Sequence, residues 1–372
     1  MHFADLGITR LARQTGLDRL GIPCYAAIRP NSATLATHQG KGIDDLSAQI
    51  SAVMEAAEYA IAEAPQTPQR VLSVAEARSL GFELLDVTHL LPRGAVIDET
   101  ASLRWVEGYA LATGAPVLVP YDAVVLGTAP RDFVGLQQST NGIAAGTDLS
   151  GAILHGLCEV IERDAVCLWS YKPDAAAQAS AVAPADFADP TIDALVDKIT
   201  RAGFRLRLFD QTTNIGVPVI YAALFPADGA DKHFDLTTGA SCHPVAAIAA
   251  RRAIVEAAQT RITNIAGARD DIVDDEYDQA LGRSIAVLTE DMPATRAAPG
   301  GLPADSSEDA LIAALEAGLA KAGLKRVVVI PLGGQQFGIE VAKIYVPGLE
   351  DRLTNANWRP GPRATAAMLG FL

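Results

Sequence analysis

The sequence lacks the signature motifs of several common classes of enzyme. There is no GxxxxGK[ST] loop and no GxGxxG loop after a predicted strand, which argues against the P-loop and dinucleotide-binding folds. No histidine lies in an HExxH or ExxH motif, so zinc peptidases and di-iron carboxylate enzymes are not indicated. The GxSxG motif of serine hydrolases is also absent.

Cysteines and long apolar segments are scarce as well. The four cysteines are widely spaced and form no CxxC pair, which argues against a zinc ribbon or a disulfide framework and favours a reducing, cytoplasmic compartment. We interpret Cys158 and Cys242 as buried or incidental residues rather than nucleophiles. The N-terminal residues contain no apolar segment of a secretory signal. No apolar run reaches the length of about 18 residues that a membrane span requires.

Basic residues are few relative to acidic ones. Among 372 residues, the chain has 30 Lys and Arg against 44 Asp and Glu, which gives a net charge of −14. Proteins that bind the phosphate backbone of a nucleic acid usually have the opposite sign, so nucleic-acid binding is disfavoured. An acidic cluster between Asp270 and Asp278 lacks the glycine and the terminal glutamate of an EF-hand, and we interpret it as a solvated loop.

Helical and strand patterns alternate along the chain and predict a mixed α/β fold. Apolar residues at helical spacing predict three long helices, over residues 44–63, 148–169 and 245–265. Asp148 or Ser150 is a candidate N-cap for the second of them.

The segments between these helices contain two predicted loops and one internal repeat. Residues 173–190 are rich in Pro and Ala and predict a loop, and residues 290–308 predict a linker or surface loop. Segments 199–226 and 319–348 resemble each other, each with a helix end, a glycine turn and two strands. The simplest interpretation is two similar β-hairpins in one core.

Each of the three predicted helices has a polar face that contains glutamate and no lysine. Because a helical residue advances by about 100°, residues three or four positions apart share a face. The residues that share these faces are Ser51, Glu55 and Glu58 on the first helix, His155, Glu159 and Glu162, bordered by Arg163, on the second, and Arg252, Glu256, Gln259 and Thr263 on the third.

Two interpretations of these faces are open. The simpler one is that they are solvated surfaces of amphipathic helices. If the helices instead converge, the five glutamates would share one cavity, where their repulsion would raise their pKa values unless cations neutralised them. Oxygen ligands favour Mg²⁺, which often binds nucleotide phosphates. Arg163 and Arg252 would then contact phosphate, and Lys41 could reach it from a flexible turn.

Five segments in order resemble the YcaO family. They are GITRLARQTGLDRLGIP (7–23), GKGID (40–44), SAVMEAAE (51–58), STNGIAAGTDLSGAILHGLCEVIERDA (139–165) and RAIVEAAQTRITNIAGARDD (252–271). The resemblance covers nearly the whole chain. It implies a non-P-loop, ATP-binding α/β (α+β mixed) fold with antiparallel or mixed sheets and packed helices. We expect a single domain over 1–372, with possible subdivisions 1–172 and 191–372.

The resemblance also implies a role for each matching residue. The residues predicted to bind magnesium are Glu55, Glu58, Glu159, Glu162 and Glu256. The residues predicted to bind ATP are Lys41, Ser51, Glu55, Asn141, Arg163, Arg252 and Gln259. The residues predicted to act in catalysis are Arg163, Arg252, Glu256 and Gln259.

The family is implied to use ATP and Mg²⁺ to activate backbone amides of ribosomal peptides or proteins. A nucleophile adds to the amide carbon, and the amide oxygen then attacks the γ-phosphate of ATP and leaves with phosphate. A Cys, Ser or Thr side chain as the nucleophile gives an azoline, a sulfide source gives a thioamide, and a backbone nitrogen gives an amidine.

The segments GASCHP and NIAGARDD resemble family members that are paired with TfuA-type proteins and associated with thioamidation. Thioamide formation on a peptide or protein, with a TfuA-like or leader-binding partner, is therefore the leading prediction. The alternatives are an azoline-forming cyclodehydratase and a non-catalytic scaffold that binds ATP or a peptide. A homodimer is expected from base rates and from the family.

Overall fold

A computed structural model describes residues 3–128, 130–230, 233–267, 287–290 and 293–372. The acidic cluster between Asp270 and Asp278 lies outside these described residues. Within them, the strands are β1 (Arg10–Arg13), β2 (Cys24–Ile28), β3 (Thr37–Lys41), β4 (Gln69–Leu72), β5 (Glu83–Leu84), β6 (Leu103–Ala110), β7 (Pro116–Pro120), β8 (Ile143–Gly146), β9 (Ala181–Val182), β10 (Phe204–Asp210), β11 (Val219–Pro226), β12 (Thr237–Cys242), β13 (Val328–Gly333) and β14 (Glu340–Tyr345).

The three long helices lie where the helical period predicts them. In the described ranges, the helices are α1 (Asp45–Glu63), α2 (Val74–Ser79), α3 (Leu149–Trp169), α4 (Asp174–Gln178), α5 (Pro190–Arg201), α6 (Ala246–Ala266), α7 (Glu308–Lys321) and α8 (Pro362–Met368). The predicted cap of α3 is confirmed for Asp148, whose carboxylate accepts a 2.9 Å hydrogen bond from the Gly151 amide. No helix among the described residues is both long enough and apolar enough to cross a membrane.

The chain divides into two compact units, each made of separate stretches of sequence. Among the described residues, the first unit comprises those of Ala57–Leu168 and Glu308–Leu372, and the second comprises those of Phe3–Ala56 and Trp169–Ser307. Neither unit is a continuous half of the chain, so their bounds differ from the predicted halves. The reason lies in the strand pairing, because the late strand β14 pairs with β8 and β13 pairs with β6.

The first unit is built on a seven-stranded sheet. Its strand order is β5-β7-β6-β13-β14-β8, and β4 pairs with β6 off this path. The β5–β7 pair is parallel and the others are antiparallel, as expected for a mixed sheet. Helix α3 approaches β14 closely at Gly156, where an added Cβ would lie 2.5 Å from a side-chain carbon of Ile344. This close approach places the polar residues of α3 near β14 and β8.

The second unit contains two antiparallel sheets, β1-β2-β3 and β12-β11-β10-β9. Helix α6 packs its apolar residues, including Ile254, into a core that contains Ile220 and Leu224 of β11. Glycines let strands approach helices at two places. A Cβ at Gly40 would lie under 3.0 Å from the backbone of α1, and a Cβ at Gly239 would lie equally close to the backbone of α6.

The predicted loop at 173–190 is wrong in part. It contains helix α4, strand β9 and a 3₁₀ turn over Pro184–Phe187, because alanine-rich sequence supports short helices as readily as loops. The described part of 290–308 has no long strand and no helix before Glu308, where α7 begins, which agrees with the prediction. It is anchored nonetheless, because Arg296 forms a 2.8 Å ion pair with the buried Asp210.

The internal repeat is confirmed as two antiparallel strand pairs, but not as parts of one core. Strands β10 and β11 lie in the four-stranded sheet of the second unit, whereas β13 and β14 lie in the sheet of the first. Glycines with positive φ, Gly203 and Gly323, follow the preceding helix in both copies. Similar local sequence therefore specifies similar hairpins without specifying which sheet they join.

Candidate active site

Helix α3 brings three of the predicted residues into one ion-pair network. Arg163 lies 3.7 Å from a carboxylate oxygen of Glu159 and 3.8 Å from one of Glu162. The Glu159 side chain is one-quarter exposed, and that of Glu162 is half as exposed. This face of α3 is therefore not a freely solvated surface, as the simpler interpretation required.

Burial shifts the protonation of Glu159. Desolvation raises its pKa, while the charges of Arg163 and Lys343 and a hydrogen bond from the Gly142 amide act in the opposite direction. Asp351 adds a further raising effect. Because desolvation disfavours the ionised form of Glu159, an additional cation nearby would stabilise its carboxylate.

The turn before β8 presents the predicted Asn141 beside this network. The Ile143 amide donates a 2.8 Å hydrogen bond to the Thr140 carbonyl, and Gly142 has φ +79°, the geometry of a turn that favours glycine at its third position. A Cβ at Gly142 would also lie under 3.0 Å from the Ile344 carbonyl. The side-chain oxygen of Asn141 is buried and accepts no hydrogen bond from the residues that the structure describes.

Glu58 joins the same part of the first unit through β8. One of its carboxylate oxygens accepts a 2.8 Å hydrogen bond from the Ala145 amide. Glu58 comes from α1, and Ala145 lies three residues beyond Gly142, whose amide binds Glu159. Glu58, Asn141, Glu159, Glu162 and Arg163 thus form one group, which we call the α3 group.

The remaining predicted residues lie in the second unit. Lys41 Nζ forms a 3.3 Å ion pair with Glu256, and both side chains are between one-quarter and one-third exposed. The prediction that Lys41 lies in a flexible turn is wrong, because it is the last residue of β3 and follows Gly40, which is packed against α1. The backbone here is held by pairing with β2 and by packing against α1, so it lacks the freedom of a flexible turn.

Two helices supply the rest of this second set. Ser51 and Glu55 lie half-buried on α1, which packs on β3, and Arg252, Glu256 and Gln259 lie half-buried on α6. Together with Lys41, these residues are called the α6 group. Burial raises the pKa of the Tyr221 hydroxyl, and a hydrogen bond with Thr238 acts in the opposite direction. This hydroxyl is close enough to the α6 group for the charge of Glu256 to raise its pKa further.

Comparison with known proteins identifies the family. A family model described as "YcaO cyclodehydratase, ATP- and Mg²⁺-binding" matches residues 39–350, a range that contains both groups. The chain belongs to the YcaO family. An uncharacterized protein in the tfuA 3′ region of Rhizobium leguminosarum bv. trifolii is 38% identical over 383 residues, covering 99% of this chain and 90% of that relative.

Solved YcaO structures share the fold. The structure of YcaO from Methanopyrus kandleri bound with AMPPCP and Mg²⁺ aligns with a TM-score of 0.72 at 23% identity, over 97% of this chain and 91% of that one. A heterocyclase in complex with substrate and cofactor aligns with a TM-score of 0.76 at 20% identity. This chain, of which 98% aligns, spans only 52% of that heterocyclase. The predicted mixed α/β fold with antiparallel and mixed sheets is confirmed.

The α3 group suits a magnesium ion that shares its coordination sphere with phosphate. It offers carboxylates and the unsatisfied Asn141 oxygen, and Mg²⁺ is usually held by one or two carboxylates together with water and phosphate oxygens. Among the residues that the structure describes, no three His, Cys, Asp or Glu side chains form a ready-made metal cluster. The five predicted glutamate ligands therefore remain a prediction.

Sequence reasoning missed two charged residues beside the α3 group. They are Lys343 of β14, which is completely buried, and Asp351, which binds the Ser139 hydroxyl. Burial lowers the pKa of Lys343 to about 8, and the charges of Asp351 and Glu159 limit that shift. The local signal was a lysine among the apolar residues of β14, outside the five segments that carry the resemblance.

The cysteines of the chain are not arranged as nucleophiles. All four are buried, and none forms a disulfide bond with another described cysteine. Burial raises the pKa of both Cys24 and Cys167 to about 12. We expect little or no labelling by a thiol reagent in the folded protein and labelling of all four after denaturation. Rapid labelling of one thiol in the folded protein would reveal a reactive cysteine that this interpretation does not allow.

Proposed function

We propose that this YcaO protein uses ATP and Mg²⁺ to activate a backbone amide of a peptide or protein, and that its product is a thioamide. The observation that carries the proposal is the α3 group. It places carboxylates, an arginine and an unsatisfied buried asparagine oxygen together, in a chain whose family is described as ATP- and Mg²⁺-binding. A solvated helix face would not need any of these arrangements.

The proposed reaction replaces one oxygen atom by sulfur. A sulfide nucleophile adds to the amide carbon, and the carbonyl oxygen becomes an alkoxide. That oxygen attacks the γ-phosphorus of ATP, so the P–O bond to ADP breaks. Phosphate then departs with the former amide oxygen, and the C=S bond forms. Phosphorylation is required because an amide oxygen is otherwise a poor leaving group.

The residues of this chain position and neutralise charge during that sequence. We propose that Glu55, Glu58, Glu159, Glu162 and Glu256 supply oxygen ligands for magnesium, and that Asn141 binds the nucleotide. Bound magnesium would neutralise phosphate charge and orient the triphosphate. Arg163 and Arg252 would bind phosphate oxygens through paired N–H donors.

Three other side chains, all in the second unit, have proposed roles in binding the nucleotide. Lys41 would contribute a further cation for the triphosphate, and Ser51 and Gln259 would hydrogen-bond to the nucleotide. Such positioning and electrostatic stabilisation supply most of the catalysis in phosphoryl transfer. We propose that Arg163, Arg252, Glu256 and Gln259 act in catalysis by contacting the groups that react.

The choice of thioamide over azoline rests on the relative in the tfuA 3′ region. The resemblance links TfuA-type partners to thioamidation, and that relative matches this chain over almost its whole length. We therefore propose that a TfuA-like protein works with this chain and that a separate sulfide source supplies the sulfur. The homodimer remains a prediction.

Intact-mass analysis of the substrate tests the reaction. Candidate peptides and proteins encoded beside this chain would be co-expressed with it and with the TfuA-like partner. Replacement of oxygen by sulfur adds 16 Da by covalent arithmetic, whereas an azoline or amidine loses 18 Da. A gain of 16 Da that disappears with an Arg163→Met variant supports the proposal. A loss of 18 Da would instead assign the cyclodehydratase or amidine reaction.

The fate of the amide oxygen tests the phosphorylation step independently. A substrate carrying ¹⁸O in its backbone carbonyls should release phosphate that contains one ¹⁸O atom for each modified amide. Unlabelled phosphate would contradict O-phosphorylation, whatever the product.

A further inference from the structure

Lys343 is a charged residue at a position where packing alone favours an apolar one. It lies in β14 between Ala342 and Ile344, and its side chain has 0% exposure. Lysine is rarely buried completely unless it is paired, because an isolated buried ammonium is unfavourable. Its presence in the middle of a sheet therefore indicates a role beyond filling space.

The contacts of the Lys343 ammonium lead to the α3 group. Nζ donates a hydrogen bond to the Ser139 carbonyl and lies 5.2 Å from the centre of the Tyr345 ring. The charges of Asp351 and Glu159 also act on this ammonium. A cation at this point is thus hydrogen-bonded to the 139–143 turn and interacts electrostatically with α3 and with the segment after β14.

The other side of Ser139 is held by the same neighbourhood. Its hydroxyl lies 3.0 Å from a carboxylate oxygen of Asp351 and 2.6 Å from the Thr354 hydroxyl. The same hydroxyl accepts a 3.1 Å hydrogen bond from the Asn141 amide. Ser139 is therefore fixed through both its backbone and its side chain. Its hydroxyl in turn restrains the backbone of Asn141.

Strand β14 also holds the far end of the turn. Lys343 pairs with Ile143 in the sheet, and the Ile344 amide donates a 2.8 Å hydrogen bond to the Gly142 carbonyl. The Gly142 amide in turn binds Glu159. The turn that presents Asn141 is thus held by β14 at both ends, with the ammonium at one of them.

We propose that Lys343 is a positioning residue for nucleotide binding, which holds the 139–143 turn and Glu159 in the arrangement that accepts ATP with magnesium. The inference rests on the proposed function of the α3 group. Lys343 acts through its hydrogen bond to the Ser139 carbonyl, and so through the turn whose Gly142 amide binds Glu159. We assign it no contact with the substrate. When this ammonium is removed, the turn loses that hydrogen bond and Glu159 loses a favourable charge.

The test compares Lys343→Met with a matched control, Arg104→Met. Arg104 lies in β6 of the same unit, 2.9 Å from Asp132 and 3.5 Å from the buried Asp122, so its loss also takes a cation away from two carboxylates. Hydrogen exchange of residues 139–146 would be measured without nucleotide. Binding of ATP would be measured by calorimetry with MgCl₂ present.

We expect Lys343→Met to speed hydrogen exchange in residues 139–146 by about 10-fold or more and to weaken ATP binding by a similar factor. Arg104→Met should leave both values at those of the wild type, even if it lowers the melting temperature equally. Lys343→Arg, which keeps the charge, should recover part of the ATP affinity. If Lys343→Met does not fold, the double variant Lys343→Met/Asp351→Asn, which removes the buried ammonium together with the carboxylate charge of Asp351, is used in its place.

If residues 139–146 of the Lys343→Met variant exchanged hydrogen at the wild-type rate, the proposal would be overturned. Faster exchange with unchanged ATP affinity would overturn it too, because Lys343 would then support the fold alone. If the wild-type protein bound no ATP, the proposed function would fail. The exchange data would then still decide whether Lys343 holds the turn.

Discussion

Replacing Glu159 with glutamine is expected to abolish ATP consumption while the chain remains folded. The loss should be at least about 100-fold, because removing one preorganised electrostatic contact in an active site costs that much. The fold should tolerate the change, since glutamine keeps the shape and can still accept the hydrogen bond from the Gly142 amide. ATP hydrolysis and the melting temperature would be measured on the same preparation.

The effect of Glu159→Gln on stability should depend on pH in a defined direction. Burial raises the pKa of Glu159 above its unfolded value, so ionising it in the folded chain costs stability as pH rises through the folded pKa. Glutamine carries no such cost. The melting temperature of the variant relative to the wild type should therefore be higher at pH 7 than at about pH 4, close to the ordinary pKa of glutamate.

A matched control separates the site from ion pairing in general. Glu107 lies in the same unit and forms a 3.2 Å ion pair with Arg70, but both side chains are about half exposed. Surface pairs of this kind contribute little, so Glu107→Gln should leave both ATP use and stability unchanged. If Glu159→Gln retained wild-type ATP consumption, the assignment of the α3 group as the nucleotide site would be wrong.

Gly40→Ala is expected to have the largest effect on folding. A Cβ at this position would lie under 3.0 Å from the backbone of both Ala48 and Ala52 in α1. Backbone atoms in the middle of a helix cannot move aside as the end of a flexible side chain can. The cost should reach or exceed the upper end of the range of about 1–3 kcal/mol that overpacking usually costs.

The consequence of Gly40→Ala should extend to ATP binding. Helix α1 carries Ser51 and Glu55, and strand β3 carries Lys41, so separating helix from strand displaces three predicted site residues. Thermal unfolding and ATP binding of the variant would be compared with those of Gly16→Ala. An added Cβ at Gly16 meets no atom within 4 Å, and that variant should behave as the wild type does. Equal stability of the two variants would contradict the close packing of β3 on α1.

The features that could be predicted from the sequence are those set by local pattern. Helices α1, α3 and α6 follow from apolar residues at helical spacing, and the cap at Asp148 follows from its position before α3. Residues three or four apart on α3 share a face, as its helical period predicts. The ion pairs of Arg163 with Glu159 and Glu162 are a direct result.

The features that could not be predicted depend on contacts between residues distant in sequence. Nothing local indicates that Lys41 pairs with Glu256 or that Lys343 binds the Ser139 carbonyl. A lysine in a strand is ordinarily exposed, and only the position of β14 between β13 and β8 makes this one buried. The two repeated hairpins join different sheets for the same reason, namely contacts between distant residues. The sequence of a hairpin does not encode its neighbours in a sheet.

The central claim is that this YcaO protein binds ATP through magnesium held by carboxylates. The measurement that tests it most directly is calorimetric titration of the wild-type chain with ATP, first in MgCl₂ and then in EDTA. Saturable binding in MgCl₂ that is lost in EDTA and absent from Glu159→Gln is the predicted result. Unchanged binding in EDTA would contradict the claim, because the carboxylates alone would repel the triphosphate.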